Sequence, residues 1–224
     1  HTAEFSQDFS LALHSYTTAT KPHTYTIKNS AWETVRVVED NAEFISRNEA
    51  FTMGDVTFDK LEVNGAELNY YMIKPASFND STKYPLFVHV YGGPGSQTVK
   101  NSFGWSNYYW HQMLANKHNI IIVSVDNRGT GAKGEEFKKI TYKQLGKYET
   151  EDQIAAARSF GDLAYIDSNR IGIWGWSYGG YMSSLALAKG NDVFKMAIAI
   201  APVTNWRFYD NIYTERFMGL PQDN

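Results

Sequence analysis

Hydrophobic positions along the chain follow two successive regimes. Up to about residue 38, short runs alternate apolar and polar residues: "FSLALHSY" (9–16), "TYTI" (24–27) and "ETVRVV" (33–38), separated by turn-rich "TTATKPH" and "KNSAW". A period of two at this spacing predicts antiparallel strands with one buried face. A second alternating pair, "DVTFDKLEV" and "ELNYYMIK", flanks Asn64-Gly65, a dipeptide tolerant of positive φ that predicts a tight hairpin turn. From Tyr84 onward the alternation gives way to uninterrupted apolar runs, "YPLFVHVY", "IIIVSVD", "RIGIWGW" and "KMAIAIAPV". Helix-like segments separate them: "WSNYYWHQMLANKH", "TEDQIAAARSFGDLA" and "SYGGYMSSLALAKG". Strands apolar on both faces that alternate with helices predict a mostly parallel sheet covered on both sides. Two units are therefore expected, residues 1–47 and an α/β unit over 48–224. A lone set of strands cannot bury both of its faces, so the first unit reads either as the last piece of a repeat array, such as one propeller blade, or as a meander packed on the α/β unit.

Composition narrows the function classes. The chain is 43% hydrophobic, 15% aromatic and 20% charged, the balance of a globular protein with a substantial core. A formal charge of -3 without a Lys/Arg block gives no reason to expect a nucleic acid or an anionic membrane surface as partner. The longest apolar stretches, near Ile120–Val125 and Met196–Val203, are far shorter than the roughly 20 residues a bilayer requires, so no membrane-spanning segment is expected. The absence of cysteine excludes disulfides, thiolate metal sites and a thiol nucleophile, and is compatible with cytoplasm and export alike. A start at His1 without a leader, and a stop at "GLPQDN" directly after an apparent helix, lead us to expect a fragment.

The strongest chemical signal is "GWSYGGYM" (175–182), directly behind the buried run Ile171–Trp174. GxSxG between a strand and a helix is a nucleophile elbow, a tight turn that presents a serine hydroxyl at the carboxyl end of the sheet. Ser177 is thus the expected nucleophile. A serine that merely caps a helix is common, but a cap does not require glycines on both sides. Gly175 and Gly179 are expected to give the clearance that lets strand and helix meet. "YGGPGSQ" (91–97) ends an earlier strand in the manner of oxyanion-hole loops; Tyr91 through its phenol and Tyr178 through its backbone N–H are the candidate donors. The alternative is that these glycines only shape a turn.

An activated serine needs a base, and on this fold the triad runs Ser, then Asp or Glu, then His. All six histidines, at 1, 14, 23, 89, 111 and 118, precede Ser177. No triad in that order can be completed within these residues, and His89, inside a buried strand, reads as a core histidine. The α/β-hydrolase unit is accordingly expected to be an N-terminal portion cut before the triad Asp and His, nearly inactive by itself.

Three other chemistries fail. "GTGAKG" (129–134) satisfies the dinucleotide pattern, but Asp126, Asn127 and Arg128 separate it from the strand, and Glu135 and Glu136 would face the pyrophosphate at the helix start. GxxxxGK[ST] and HExxH are both absent, so neither a P-loop nor a zinc site of that type is expected. No metal or cofactor is expected.

Together, "GWSYGGYM", "YGGPGSQ", "DNRGTG", "EDQIAAAR" and "APVTNWRFYDNIYTERFMGLP" resemble the dipeptidyl peptidase IV branch of the prolyl oligopeptidase serine peptidases over essentially the whole chain. The resemblance implies a propeller-capped α/β-hydrolase, with residues 1–47 as the end of the last blade plus linker. It implies a serine peptidase that releases Xaa-Pro dipeptides through an acyl-enzyme, a proline pocket (S1) of Tyr178, Val203, Trp206, Tyr209 and Tyr213, peptide substrates with penultimate proline, a homodimeric full-length protein, and export to the periplasm or cell surface. Trp206, Tyr209 and Tyr213 fall at i, i+3 and i+7 and share a face if "NWRFYDNIYTERF" is helical. Tripeptidyl or acylaminoacyl peptidases of the same family, a simple esterase, and a non-catalytic hydrolase-fold protein remain as alternatives. "YGGPGSQ" departs from the cysteine-containing mammalian version but keeps the tyrosine.

Overall fold

The structure, a computed structural model, describes residues 1–105 and 107–224. Strands β1 (Thr2–Phe5), β2 (Leu11–Tyr16), β3 (Thr24–Asn29) and β4 (Thr34–Glu39) form an antiparallel meander in that order. β1 is not predicted by the pattern, because "TAEF" carries one large apolar residue and is specified only by pairing with β2. The short helix α1 (Ala42–Asn48), which buries none of its residues, is also not predicted and bridges the expected boundary at residue 47. Ala19 N–H donates to Asn101 Oδ1 (2.7 Å) and Phe103 N–H to Thr17 Oγ1 (3.1 Å), tying the meander to the second unit.

The second sheet begins with the expected hairpin, β5 (Asp55–Val63) and β6 (Ala66–Lys74), turning at Asn64 (φ 52) and Gly65 (φ 72). Next in chain order come β7 (Tyr84–His89), α2 (Tyr108–His118), β8 (Ile121–Asp126), α3 (Glu135–Lys139), α4 (Tyr148–Gly161), β9 (Ile166–Trp176), α5 (Tyr178–Lys189), β10 (Met196–Ile200) and α6 (Asn211–Met218). The strand order is β10-β9-β7-β8-β6-β5, parallel except where β6 meets its two neighbours. α2 starts three residues after the predicted start at Trp105; Ser106, within that prediction, lies outside the described residues.

The continuous apolar runs have a direct structural cause. In β8, Ile121, Val123 and Val125 pack toward Ala156, Ala157 and Phe160 of α4 and Met182 and Ala186 of α5. Ile122, between them, packs with Tyr71, Phe87, Trp174 and Ala115 of α2 on the opposite face. Each such fully buried side chain contributes roughly 1.5–3 kcal/mol. β7 and the second half of β9 are buried in the same way, whereas the edge strand β10 leaves Met196 and Ile198 exposed, so its run "KMAIAI" is not covered on both faces as the pattern predicts.

The continuous helix expected over "NWRFYDNIYTERF" is not formed. A 3-10 turn at Trp206–Phe208 gives way to extended Tyr209 (φ -94, ψ 169), and α6 starts afresh. Asn205 and Asp210 cause the break: their side chains accept from the N–H of Arg207 (3.0 Å) and Tyr213 (2.8 Å), capping two short segments instead of continuing one.

The α2 face of the sheet holds two histidines, His111 buried and His89 half-buried. His111 is 0% exposed, and its Nε2 has no protein partner among the described residues. Burial, with His89 beside it, pushes His111 down to about 3, and burial pushes His89 down to about 4. The unfolded groups titrate near 6.5, so on acidification from there the unfolded chain takes up protons that the native fold refuses. Stability is thus fully present above pH 6.5 and falls as pH drops toward the folded values, by about 1.4 kcal/mol per pH unit for each such histidine. In urea titrations between pH 7 and pH 4, His111→Phe is expected to flatten this decline relative to wild type; parallel declines would contradict the assignment.

Candidate active site

β9 ends at Trp176 and α5 begins at Tyr178, so Ser177 alone makes the bend. Its backbone sits at φ 58, ψ -114, a conformation that costs a non-glycine residue on the order of 1–3 kcal/mol and persists only when its surroundings over-determine it. Two backbone hydrogen bonds do so: Ser177 N–H donates to the Ile200 carbonyl at the end of β10 (2.9 Å), and the Ser177 carbonyl accepts from Tyr181 N–H (3.0 Å).

The glycines supply clearance, as expected from the motif. A Cβ on Gly179 would stand 2.1 Å from the Val90 carbonyl oxygen just past β7, and one on Gly175 would stand 2.3 Å from that same oxygen. A Cβ on Gly180 would meet the Ile200 oxygen at 2.7 Å. The start of α5 is therefore pressed against the ends of β7 and β10, and its free N–H groups are brought to the rim of the sheet, where developing negative charge is favoured. Gly179→Ala must displace backbone rather than a side chain, and is expected to lower stability by about 3 kcal/mol or more. A thermal midpoint within a degree of wild type would contradict this packing.

Beyond β7 the chain passes through Tyr91–Gln97, with Gly92 (φ 75) and Gly95 (φ 70) in the left-handed region. A Cβ on Gly93 would lie 2.8 Å from the Tyr91 ring and 3.2 Å from the Tyr178 ring, so its absence lets those rings approach to 6.1 Å between centroids. Burial, with Tyr209 nearby, raises the Tyr91 hydroxyl above its ordinary value, so it remains protonated and able to donate.

In the sequence, the residues that hold this loop stand out only as part of a resemblance. Asn127, fully buried, donates to the Gly92 carbonyl (3.1 Å), and its Oδ1 accepts from Gln153 Nε2 (2.9 Å). Asp126 accepts from the N–H and hydroxyl of Thr98 (both 2.8 Å). Gly95 N–H donates to the Gly129 carbonyl (2.9 Å), and Gly131 N–H to the Ser96 carbonyl (3.0 Å). Arg128 clamps buried Asp152 through Nε (2.9 Å) and Nη2 (2.6 Å), fixing this support to α4. "DNRGTG" and "EDQ" are thus struts of the Tyr91 loop. The readable signal was a run of polar residues, Asp126, Asn127 and Arg128, at the carboxyl end of an otherwise apolar strand.

The aromatic residues converge although their helix is broken. Trp206 stacks on Tyr213 (5.7 Å, 13° between planes) and lies 5.6 Å from Tyr178, while Tyr209 meets both Trp206 (5.8 Å) and Tyr213 (5.4 Å) edge-on. Tyr181, which periodicity did not select, joins the cluster at 5.6 Å from Tyr178 and 5.3 Å from Trp206. Val203, half-buried, comes directly after Pro202, whose Cα lies 3.1 Å from where a Gly180 Cβ would stand.

The histidines sit elsewhere. His1 and His14 stack on each other in the meander, and His23, between β2 and β3, stacks on Tyr25. His89 stacks on Trp174 at 4.6 Å beside His111, as expected of a core histidine. His118 ends α2, at the opposite end of the sheet from Ser177.

Comparison with known proteins bears on the family and the fold. The family model described as "Prolyl oligopeptidase family" matches residues 105–224. The chain is 49% identical over 187 residues to the Bos taurus protein named "Prolyl endopeptidase FAP", covering 84% of this chain and 24% of that protein. It is 43% identical over 203 residues to the Sus scrofa protein named "Dipeptidyl peptidase 4", covering 89% and 26% respectively. Its backbone superposes on the crystal structure of Porphyromonas gingivalis dipeptidyl peptidase 4 with a TM-score of 0.93 at 43% identity, covering all of this chain and 31% of that one. The chain thus spans about a quarter of the length of the curated relatives it matches. Its fold is that of an α/β-hydrolase preceded by propeller-like strands, and among the described residues no helix is long and apolar enough to cross a membrane. Agreement of this extent, in sequence and in backbone alike, makes the chain a member of the prolyl oligopeptidase family, on its dipeptidyl peptidase 4 branch.

Proposed function

We propose that the full-length protein is a serine peptidase that releases Xaa-Pro dipeptides from peptide N-termini. The reading rests above all on one juxtaposition: the strained Ser177 elbow runs directly into Tyr178, whose ring carries the aromatic cage of Trp206 and Tyr213. Flat aromatic walls suit a pyrrolidine ring, and Tyr178, Val203, Trp206, Tyr209 and Tyr213 form the proposed S1 pocket.

In the proposed reaction Ser177 Oγ attacks the carbonyl carbon of the proline and passes its proton to an imidazole contributed by the part of the protein beyond these residues. The oxygen that becomes negative accepts hydrogen bonds from the Tyr91 hydroxyl and the Tyr178 N–H, in a site where such preorganised donors act strongly. The imidazolium protonates the departing amine as the C–N bond breaks, leaving an ester on Ser177. Water, deprotonated by the same imidazole, then hydrolyses the ester and restores the serine.

Residues 1–47 belong, on this reading, to the last propeller blade and its linker, and residues 48–224 to the N-terminal portion of the peptidase domain. Homodimerisation and export to the periplasm or cell surface are part of the same proposal and rest on the resemblance.

A second reading is favoured by a specific observation, the 49% identity to a protein named "Prolyl endopeptidase FAP". The two readings part on the substrate's amino terminus. With the full-length protein, a chromogenic Gly-Pro amide is expected to be hydrolysed and its N-acylated counterpart left intact. Cleavage of the acylated form alone would replace the dipeptidyl reading with the endopeptidase one, and hydrolysis of neither would overturn both.

A further inference from the structure

Beneath the aromatic pocket lies a buried polar floor to which the proposed reaction gives no role. Glu149, in the first turn of α4, is 0% exposed. Its Oε1 accepts from the Tyr178 hydroxyl at 2.6 Å, the length of a charge-assisted bond, and its Oε2 accepts from Gly146 N–H at 3.0 Å. Gly146 has a φ of 87, and a Cβ there would lie 2.2 Å from the Tyr181 hydroxyl, so the Leu145–Gly146 loop fits closely beneath α5. Tyr181 in turn donates to the Leu145 carbonyl (2.9 Å). Two tyrosines one helical turn apart are therefore held by their hydroxyls to one short segment of α4 and the loop before it. Both rings also bracket Trp206, at 5.6 and 5.3 Å.

The placement of this acid is costly, which argues against an incidental contact. Burial raises the Glu149 carboxyl to about 7, against which the bonds from Tyr178 and Gly146 pull it down. Asp152, one turn further along α4, also raises it, and is itself paired with Arg128. Tyr178 and Tyr181 on α5 and Tyr213 on α6 all feel this carboxyl, and each has its hydroxyl raised chiefly by burial. A buried acid that only filled space would be replaced by an apolar residue at no loss. Here it holds the one side chain that both adjoins Ser177 and walls the pocket.

We propose that Glu149 is a positioning residue for the pocket: by anchoring the Tyr178 hydroxyl it fixes the ring against which the substrate's proline packs, and so sets substrate affinity. The proposal rests on the peptidase reading above. The Tyr178 N–H is placed independently by the backbone of the elbow, so the effect belongs to KM rather than kcat.

The test uses the full-length protein and a Gly-Pro amide, with rates normalised to active sites titrated by a fluorophosphonate. Glu149→Ala is expected to raise KM about tenfold while kcat per titrated site stays within about threefold. Glu149→Gln retains an oxygen acceptor for the Tyr178 hydroxyl, and is expected to recover most of the loss. A purely structural role would lower the titrated fraction and the thermal midpoint without moving KM of the active fraction. KM unchanged in both variants, or a loss confined to kcat, would overturn the proposal. Should Glu149→Ala fail to fold, Tyr178→Phe deletes the same bond from the other side; a comparable rise in KM supports the assignment and an unchanged KM overturns it. An inactive wild type would instead contradict the peptidase reading, and the pocket assignment with it.

Discussion

Replacing Ser177 by alanine in the full-length protein is expected to lower kcat for a Gly-Pro amide by on the order of 10⁶, the scale of loss when a nucleophile that works as one unit with its base is deleted. The expectation comes from the geometry of the bend. A serine held at φ 58, ψ -114 between two strand ends is maintained at a cost in stability, and strain of this kind collects where a mechanism uses it. A helix cap makes no such demand, since capping residues adopt ordinary extended backbone, as Asp210 does before α6 (φ -63, ψ 150). Alanine keeps the backbone and removes only the hydroxyl. The thermal midpoint should therefore stay near that of wild type while turnover disappears, and turnover at the wild-type rate would remove Ser177 from the reaction.

The second large effect concerns Tyr91. Tyr91→Phe is expected to lower kcat by roughly 10² to 10³ with little change in KM, the usual loss when one oxyanion donor is removed. The phenol is placed for this by a chain of supports: Gly93 leaves room for its ring beside Tyr178, Asn127 holds the Gly92 carbonyl, and Gln153 holds Asn127. Phenylalanine preserves the ring contacts and deletes the donor, so an oxyanion role and a packing role separate cleanly. A change limited to KM would make Tyr91 a wall of the substrate site and leave the Tyr178 N–H as the sole donor named here.

Much of this arrangement could be read from the sequence, for reasons that differ by element. The hairpin at Asn64-Gly65 was legible because two consecutive positive φ values restrict the residue types that can occupy them. The parallel sheet was legible because burial of both faces of β7, β8 and the second half of β9 leaves no polar alternation there, while the edge strand β10 is apolar in sequence yet exposes Met196 and Ile198. The elbow was legible because steric exclusion at Gly175 and Gly179 leaves a spacing that ordinary turns do not need. Features fixed by long-range contact were not legible. β1 exists through its partner strand, and α1 buries nothing that periodicity could register. The break at Tyr209 came from two capping side chains, Asn205 and Asp210, overriding an aromatic stripe that looked helical. Trp206, Tyr209 and Tyr213 nonetheless meet, since the proposed pocket depends on where the rings arrive and not on a continuous helix carrying them. Glu149 gave no sequence signal: an acid in the first turn of a helix is ordinarily a solvated partner of the helix dipole, and only the fold turns it inward onto Tyr178.

The most direct test of the account is to treat the full-length protein with a fluorophosphonate and locate the adduct by peptide mass spectrometry. One stoichiometric adduct on Ser177, in the peptide containing "GWSYGGYM", is the predicted result. No adduct under conditions where the protein is folded, or an adduct on another serine, would contradict the assignment of this bend as the nucleophile.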